Sequence, residues 1–230
     1  MAAPFRGRIE ADSSFTNDEN ASEPHRNVWL ASWPRSGNTW FRIVLNDCFG
    51  STTASIYGDN FDAFPSGFGT ALGRGRPNRF GLTKTHEALP DSGPAIYLVR
   101  DGRAAVVSYF YFCQVYDTAR TMEEVIVGWP PFGSWSEHLQ AWNPRHRPDT
   151  LLLRFEDITE CPEQAIETVS VFLNCRPMGK LRHTFSAMNE LEPRFFRSGS
   201  NRLNISELTD KQLELFETLH GTTLRDYGYG

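Results

Sequence analysis

A chain of 230 residues, 40% hydrophobic and 22% charged, suits one α/β domain with a real core and little room for a second. A formal net charge of −5 argues against a nucleic-acid-binding face, which needs a basic surface. It still allows a phosphorylated nucleotide, because a few local arginines and a helix N-terminus suffice to hold one.

Residues 1–26 are polar and mixed in charge, and read as a flexible N-terminal arm. Order begins with a β-prone run over 27–32. A turn follows through Trp33-Pro34-Arg35-Ser36-Gly37, then a helix over 38–49 with Trp40, Ile43, Val44 and Leu45 near one face. Residues 50–80 show no period and read as a long connection beside a pocket. A short strand over 81–86 ends in polar groups. A third, buried strand over 95–99 is stopped by Arg100-Asp101-Gly102, and a helix begins over 103–112. Residues 128–135 read as a loop and 136–142 as a short helix. Another apolar strand covers 151–155. Pro162 sits in the first turn of a helix carrying Ile166, Val169, Phe172 and Leu173. Thr209 and Gln212 form a capping box that opens a last helix. Strands alternating with helices predict a single α/β domain over 27–230, with a central parallel sheet flanked by helices.

The first strand-turn-helix unit carries chemistry of its own. A strand turning through glycine into a helix aims several backbone N–H groups at one spot, and the helix dipole favours an anion there. Gly37 admits close approach, Ser36, Asn38 and Thr39 add donors, and Arg35 adds a planar cationic fork. The same unit also occurs as a purely structural turn. No G-x-x-x-x-G-K-[ST] string is present, and no acidic pair follows to hold Mg²⁺, which disfavours the alternative of a P-loop-type small-molecule kinase.

The full string Ala-Ser-Trp-Pro-Arg-Ser-Gly-Asn-Thr-Trp over 31–40 resembles the 5′-phosphosulfate loop of the sulfotransferase family that uses 3′-phosphoadenosine 5′-phosphosulfate (PAPS). That family usually shows Tyr-Pro-Lys-Ser/Ala-Gly-Asn/Thr-Thr-Trp, so Arg35 stands where Lys is commoner. The resemblance implies a P-loop NTPase-like fold, a donor held by Arg35, Ser36, Gly37, Asn38 and Thr39, and Trp40 stacked on adenine. The string from Tyr97 to Phe110 is similar to the family's 3′-phosphate motif, with Arg100 at a strand end and Ser108 eight residues later. Phe185, in His-Thr-Phe-Ser-Ala-Met, matches a segment whose Phe contacts adenine. Arg197-Ser198-Gly199 resembles the late Arg-Lys-Gly loop that cups the 3′-phosphate, with Ser198 in place of Lys and the following Gly-x-Trp absent. Phe155-Glu156-Asp157 stands where Tyr-Glu-Asp is common, so a base contact made by the tyrosine hydroxyl is lost.

Lys84-Thr85-His86 resembles the family's Lys-Thr/Ser-His segment. The resemblance implies that His86 is the general base and that Lys84 and Arg35 neutralise the sulfuryl and bridging oxygens. An unperturbed histidine is largely neutral at pH 7, as a base must be. No catalytic role is expected for His25, His138, His146, His183 or His220, with one alternative for His138, which lies on the short helix after the Trp-Pro-Pro-Phe loop and could face the acceptor. The implied reaction is in-line transfer of a sulfuryl group to a hydroxyl or amine of a small acceptor, releasing the desulfated nucleotide (PAP), with no metal. Phe61, Phe64, Phe112, Trp129 and Phe132 are candidates for an apolar or aromatic acceptor pocket. The Lys-to-Arg change at 35 and the altered late loop keep one further alternative open, an inactive nucleotide-binding protein.

Cys48, Cys113, Cys161 and Cys175 form no CxxC pair and no zinc-like cluster. No run approaches the ~18 apolar residues of a membrane span. The expectation is a cytoplasmic protein with free thiols and neither membrane nor nucleic-acid partner. No dimer segment is recognisable, so the oligomeric state is left open.

Overall fold

The computed structural model describes residues 26–58, 80–88 and 91–230. Of the arm expected over 1–26, residues 1–25 lie outside the described residues, as do Phe61 and Phe64, and Arg26 instead opens the first strand, paired to Phe80.

Short β-prone runs form strands β1 (Arg26–Ser32), β2 (Thr53–Ser55), β3 (Phe80–Thr85), β4 (Ala95–Val99) and β5 (Thr150–Arg154). They pair side by side in the order β2-β3-β1-β4-β5, and every neighbouring pair is parallel. Parallel sheets need cover on both faces. Alternate strand residues divide accordingly. Val28, Leu30, Leu82, Ile96 and Leu98 face one layer, while Ala31, Ala95, Tyr97 and Val99 face the other. The first layer contains α1 (Asn38–Phe49) and the later helix spanning Pro162–Leu173; the second is built from α2 (Gly102–Tyr116), α3 (Met122–Val127) and α4 (Trp135–Trp142). After β5 come α5 (Phe155–Glu160), α6 (Pro162–Leu173), α7 (Phe185–Leu191), α8 (Pro193–Phe196), α9 (Asn201–Ile205) and α10 (Asp210–Asp226). Phe216 of α10 joins the second layer.

The predicted parallel α/β architecture is what forms, with local differences. β2 lies inside the stretch read as a featureless connection, since three residues are too few to show a period. Trp135 opens α4 rather than closing a loop. Ser134 and Glu137 form a reciprocal capping box, which starts the helix one residue earlier than expected. α2 runs four residues past Phe112, to Tyr116.

β1 lies at the centre, with β3 on one side and β4 on the other. The chain leaves β1 for one half of the sheet and later crosses to the other. Such a reversal opens a crevice at the carboxyl ends of the strands, where open α/β sheets bind ligands.

Candidate active site

A cavity of about 530 Å³ opens in that crevice. The segments following all five strands contribute to it: Tyr57 after β2, Pro34 and Arg35 after β1, His86 after β3, Arg100 after β4 and Phe155 after β5. Among the described residues its lining carries five cationic side chains, Arg35, Arg42, Lys84, Arg100 and Arg197, against one carboxylate, Asp117. A chain that is acidic as a whole has therefore gathered positive charge in one place, which suits an anionic ligand.

The turn between β1 and α1 is shaped by backbone geometry. Gly37 has φ +95°, and a Cβ there would overlap the Phe155 ring. Gly37 supplies no side-chain acceptor to α1, and no acidic residue sits in the first turn. The first-turn N–H groups have no intrahelical partners, so the positive pole is left for an external anion. Arg35 also has φ +64°, a left-handed conformation costing about 1 kcal/mol for a residue with a Cβ. Asn38 and Thr39 line the cavity. Asn38 Nδ2 is spent on Leu30 O at 3.0 Å and Ser32 Oγ at 3.3 Å, tying α1 to β1. Ser36 is buried beneath the lining, with Oγ unpartnered.

Three arginines face the same space. Arg100, 4% exposed, donates from Nε to Asn201 Oδ1 at 2.8 Å and from Nη1 to the Arg35 carbonyl at 3.3 Å. Its Nη2 is buried with no partner. Arg35 donates from Nε to Ser108 Oγ at 3.3 Å and from Nη2 to the Phe195 carbonyl, and packs over the Phe195 and Phe112 rings. Burial first, then Arg100, pulls Arg35 down to about 10. Burial pulls Arg100 to about 10 as well. Both remain cations at pH 7. Arg197 lies 3.7 Å from the Tyr111 ring centroid and donates from Nη2 to Glu207 at 2.5 Å, while its Nη1 is buried and unpartnered.

Aromatic rings bound the remainder of this end. Phe185 sits edge-on to Trp40, Phe155 and Phe196 at centroid distances of 5.9, 5.9 and 5.8 Å. Gly199, at φ +63°, lies so close to Phe185 that a Cβ would overlap its ring. Trp40 Nε1 is a further buried, unpartnered donor. Ser198 does not reach the lining. Its hydroxyl donates to Asn204 Oδ1 at 3.2 Å, and Asn204 is the residue that lines the cavity. The replacement for the family's lysine is thus turned into the loop, because a short hydroxyl finds its partner locally.

The fit of a doubly anionic adenosine nucleotide can be judged from these groups. Arg100 Nη2, Arg197 Nη1 and Trp40 Nε1 are buried donors without partners, and an unpaired buried polar group costs about 1–3 kcal/mol. Flat rings stand beside the arginines and an open helix N-terminus points the same way. The residues fit such a ligand.

His86, half-buried, follows β3 directly. Its Nδ1 lies 2.8 Å from the Ser32 carbonyl, which can only accept, so Nδ1 carries the ring hydrogen and Nε2 the lone pair. Burial, followed by the Lys84 charge, holds the imidazole well below its ordinary value. His86 is therefore neutral at pH 7, with its basic nitrogen defined. Lys84 also lines the cavity, 5.9 Å from the Tyr57 ring centroid.

Phe112 and Phe132 line the same cavity near His86 and Arg35, and Phe132 sits edge-on to His86 at 6.0 Å. Trp129 does not line it. It stacks behind Tyr109 at 5.1 Å, and Tyr109 presents its own ring to the cavity. Tyr57 stacks on His86 at 5.9 Å and accepts from the His86 N–H at 2.7 Å. Tyr57, Phe195, Asn201 and Asn204 belong to the site without lying in a string of readable spacing, and Phe196 stands in the late Phe196-Arg197-Ser198-Gly199 string but has no role assigned from it.

A family described as "Sulfotransferase domain" matches residues 93–228. Rat (Rattus norvegicus) sulfotransferase 1A1 is 29% identical over 175 residues, covering 63% of this chain and 58% of that protein. A WSCD family member of Aedes aegypti is 29% identical over 162 residues, covering 63% of this chain and 49% of that protein. The chain thus spans about half the length of these curated relatives. In fold it is similar to mouse sulfotransferase SULT7A1, solved with PAP, at a TM-score of 0.68 and 19% identity over 88% of this chain and 86% of that one. It is also similar to a retinol dehydratase solved with androsterone and inactive cofactor PAP, at a TM-score of 0.61 and 17% identity over 87% and 81% of the two chains.

Proposed function

This chain belongs to the sulfotransferase domain family, and from that premise we propose that it transfers a sulfuryl group from PAPS to a hydroxyl or amine of a small acceptor. When bound, PAPS supplies the sulfuryl group and a phosphate leaving group. The observation that carries the reading is the convergence on one cavity of buried, unpartnered arginine donors and a neutral histidine with its base nitrogen free of the Ser32 bond.

The roles we assign carry the resemblance's motif residues onto that geometry. Arg100, Ser108 and Arg197, with Gly199 admitting the backbone, hold the 3′-phosphate. The Gly37 turn and the start of α1 hold the 5′ end, and the rings of Trp40, Phe155 and Phe185 bound the base. His86 Nε2 takes the proton from the acceptor as its oxygen or nitrogen attacks. Lys84 and Arg35 supply fixed positive charge where negative charge develops on the leaving oxygen. Phe112, Phe132, Tyr57 and Tyr109 give the acceptor side an aromatic wall, which favours an apolar or aromatic acceptor. The structurally similar retinol dehydratase, solved with androsterone and PAP, supports an acceptor of that kind.

One alternative draws on a specific contact. Arg35, engaged by Ser108 and the Phe195 carbonyl, is partly withdrawn from catalysis, as in a nucleotide-binding protein without transfer. Transfer of labelled sulfate from PAPS to a panel of phenols and aliphatic alcohols decides between them. The proposal expects transfer that His86→Ala reduces by roughly 10²–10⁴-fold with PAP affinity retained. PAP binding without transfer to any acceptor supports the alternative, and full activity in His86→Ala removes His86 as the base.

A further inference from the structure

The hydrogen-bond ladder between β1 and β3 ends at Thr85. His86 lies one residue beyond it, so its position depends on side chains that reach across from other elements. One of these is His138, a histidine on the second helical layer that the proposed chemistry does not use.

His138 sits on α4 and is 2% exposed. Its Nε2 is 3.0 Å from the His86 carbonyl, and its Nδ1 is 2.7 Å from the Tyr97 hydroxyl. The carbonyl only accepts, so Nε2 carries the hydrogen and Nδ1 accepts from Tyr97. One neutral tautomer satisfies both contacts. Tyr97 is fully buried at the middle of β4, so the far end of this chain of bonds is anchored in the sheet. One helical turn along α4, Trp142 donates from Nε1 to the Glu87 carbonyl at 2.9 Å. Residues four apart share a helix face. A single face of α4 therefore grips two consecutive carbonyls, those of His86 and Glu87.

We propose that His138 is a positioning residue: with Tyr97 setting its tautomer, it fixes the backbone of His86 so that the base nitrogen is held at the cavity. The role rests on the reading of His86 as the base. Burial draws His138 down to about 4, so the ring stays neutral where the enzyme works and keeps its acceptor for Tyr97. Loss of the ring takes its donor from the His86 carbonyl and its acceptor from the Tyr97 O–H, and frees the peptide that carries the base. A displacement near 1 Å in a reacting group costs up to about 10²-fold in rate.

The test compares His138→Leu, His138→Gln, Tyr97→Phe and His86→Ala in the full chain, measuring kcat, acceptor KM, PAP affinity by calorimetry, and the His86 ring tautomer by nitrogen NMR. The expectation for His138→Leu is a kcat lower by roughly 10–100-fold, with acceptor KM and PAP affinity changed by less than about threefold. His138→Gln retains an amide donor near the Nε2 position and recovers most of the loss. If His138→Leu does not fold, Tyr97→Phe still tests the claim, because it removes only the hydroxyl that sets the tautomer and lowers kcat several-fold. An unchanged kcat per folded molecule in these variants, or equal losses in Leu and Gln, overturns the positioning role. If His86→Ala keeps its activity, the base assignment itself has failed; if only His86→Ala loses transfer, the base stands and the positioning claim alone is lost.

Discussion

Asn201 Oδ1 accepts from Arg100 Nε at 2.8 Å, and that contact sets which edge of the guanidinium faces the cavity. Asn201 is itself held through Nδ2 by Glu156, whose carboxylate also takes the Tyr229 hydroxyl at 2.9 Å and the Asp101 N–H at 3.2 Å. The late segment Arg197-Ser198-Gly199 lacks the Gly-x-Trp that follows in the resembled motif, and this asparagine opens α9 just beyond it. Asn201→Ala is expected to weaken PAP binding by roughly tenfold, the worth of one hydrogen bond to a charged group. Adenosine 5′-phosphate, which has no 3′-phosphate for Arg100, changes little. Calorimetry with the two nucleotides checks this, and equal losses for both reject the role.

Gly37→Ala is expected to abolish measurable PAP binding and lower stability by about 1–3 kcal/mol. The position requires φ +95°, and the added methyl meets the Phe155 ring. Denaturant unfolding and calorimetry read the two effects separately. Retention of PAP affinity shows that the turn is structural only.

Acid lowers stability through the buried histidines. Burial holds His138 at about 4 and keeps His86 and His220 below their ordinary 6.5. Below pH 6.5 the unfolded chain takes up protons that the folded chain refuses, so stability falls as pH drops from 6.5 towards 4. For His138, held at about 4, the slope within that window is about 1.4 kcal/mol per pH unit; His86 and His220 add to it in the same direction. Asp47 acts lower: burial raises its carboxyl, but the N–H groups of His183 and Arg182 outweigh that and hold it below 3.8. Thermal unfolding between pH 4 and 8 measures the slope, and His138→Gln should flatten it. A melting temperature unchanged between pH 6.5 and 4.5 contradicts the expectation.

Phe132→Ala is expected to raise acceptor KM by roughly tenfold for an aromatic acceptor, since a buried ring contact contributes about 1–2 kcal/mol. PAP affinity should not move, because Phe132 stands beside His86 and Tyr57 rather than beside Arg100. Steady-state kinetics with one phenol and one small aliphatic alcohol separate the cases. Equal KM changes for both acceptors count against an aromatic wall.

Much of the site could be read from short strings because its members stand at the ends of strands and the starts of helices. Gly37, Lys84, His86 and Arg100 all lie within two residues of a strand or helix terminus, where local pattern is legible. The parts that escaped are joined across the chain. Arg100 meets Asn201 over 101 residues, Tyr97 meets His138 over 41, and His138 meets His86 over 52. The sequence assigns His138 no catalytic role and at most an acceptor-facing one, and nothing near it in the chain marks it as facing the His86 backbone. Trp129 looked like a pocket residue and proved to be the layer behind Tyr109.

By itself the order of residues marked four of the five strands and the longer helices, where the phosphate-sized turn falls, and which charged groups end those strands. Those properties depend on neighbours a few positions apart, through periodicity, capping and the conformations open to glycine. Only the tertiary structure decided that β1 lies between β3 and β4, which brings His86 and Arg100 to one cavity. It also decided which donors are left unpaired there. Both are matters of packing between distant segments, set by how whole faces cover the sheet rather than by any local spacing.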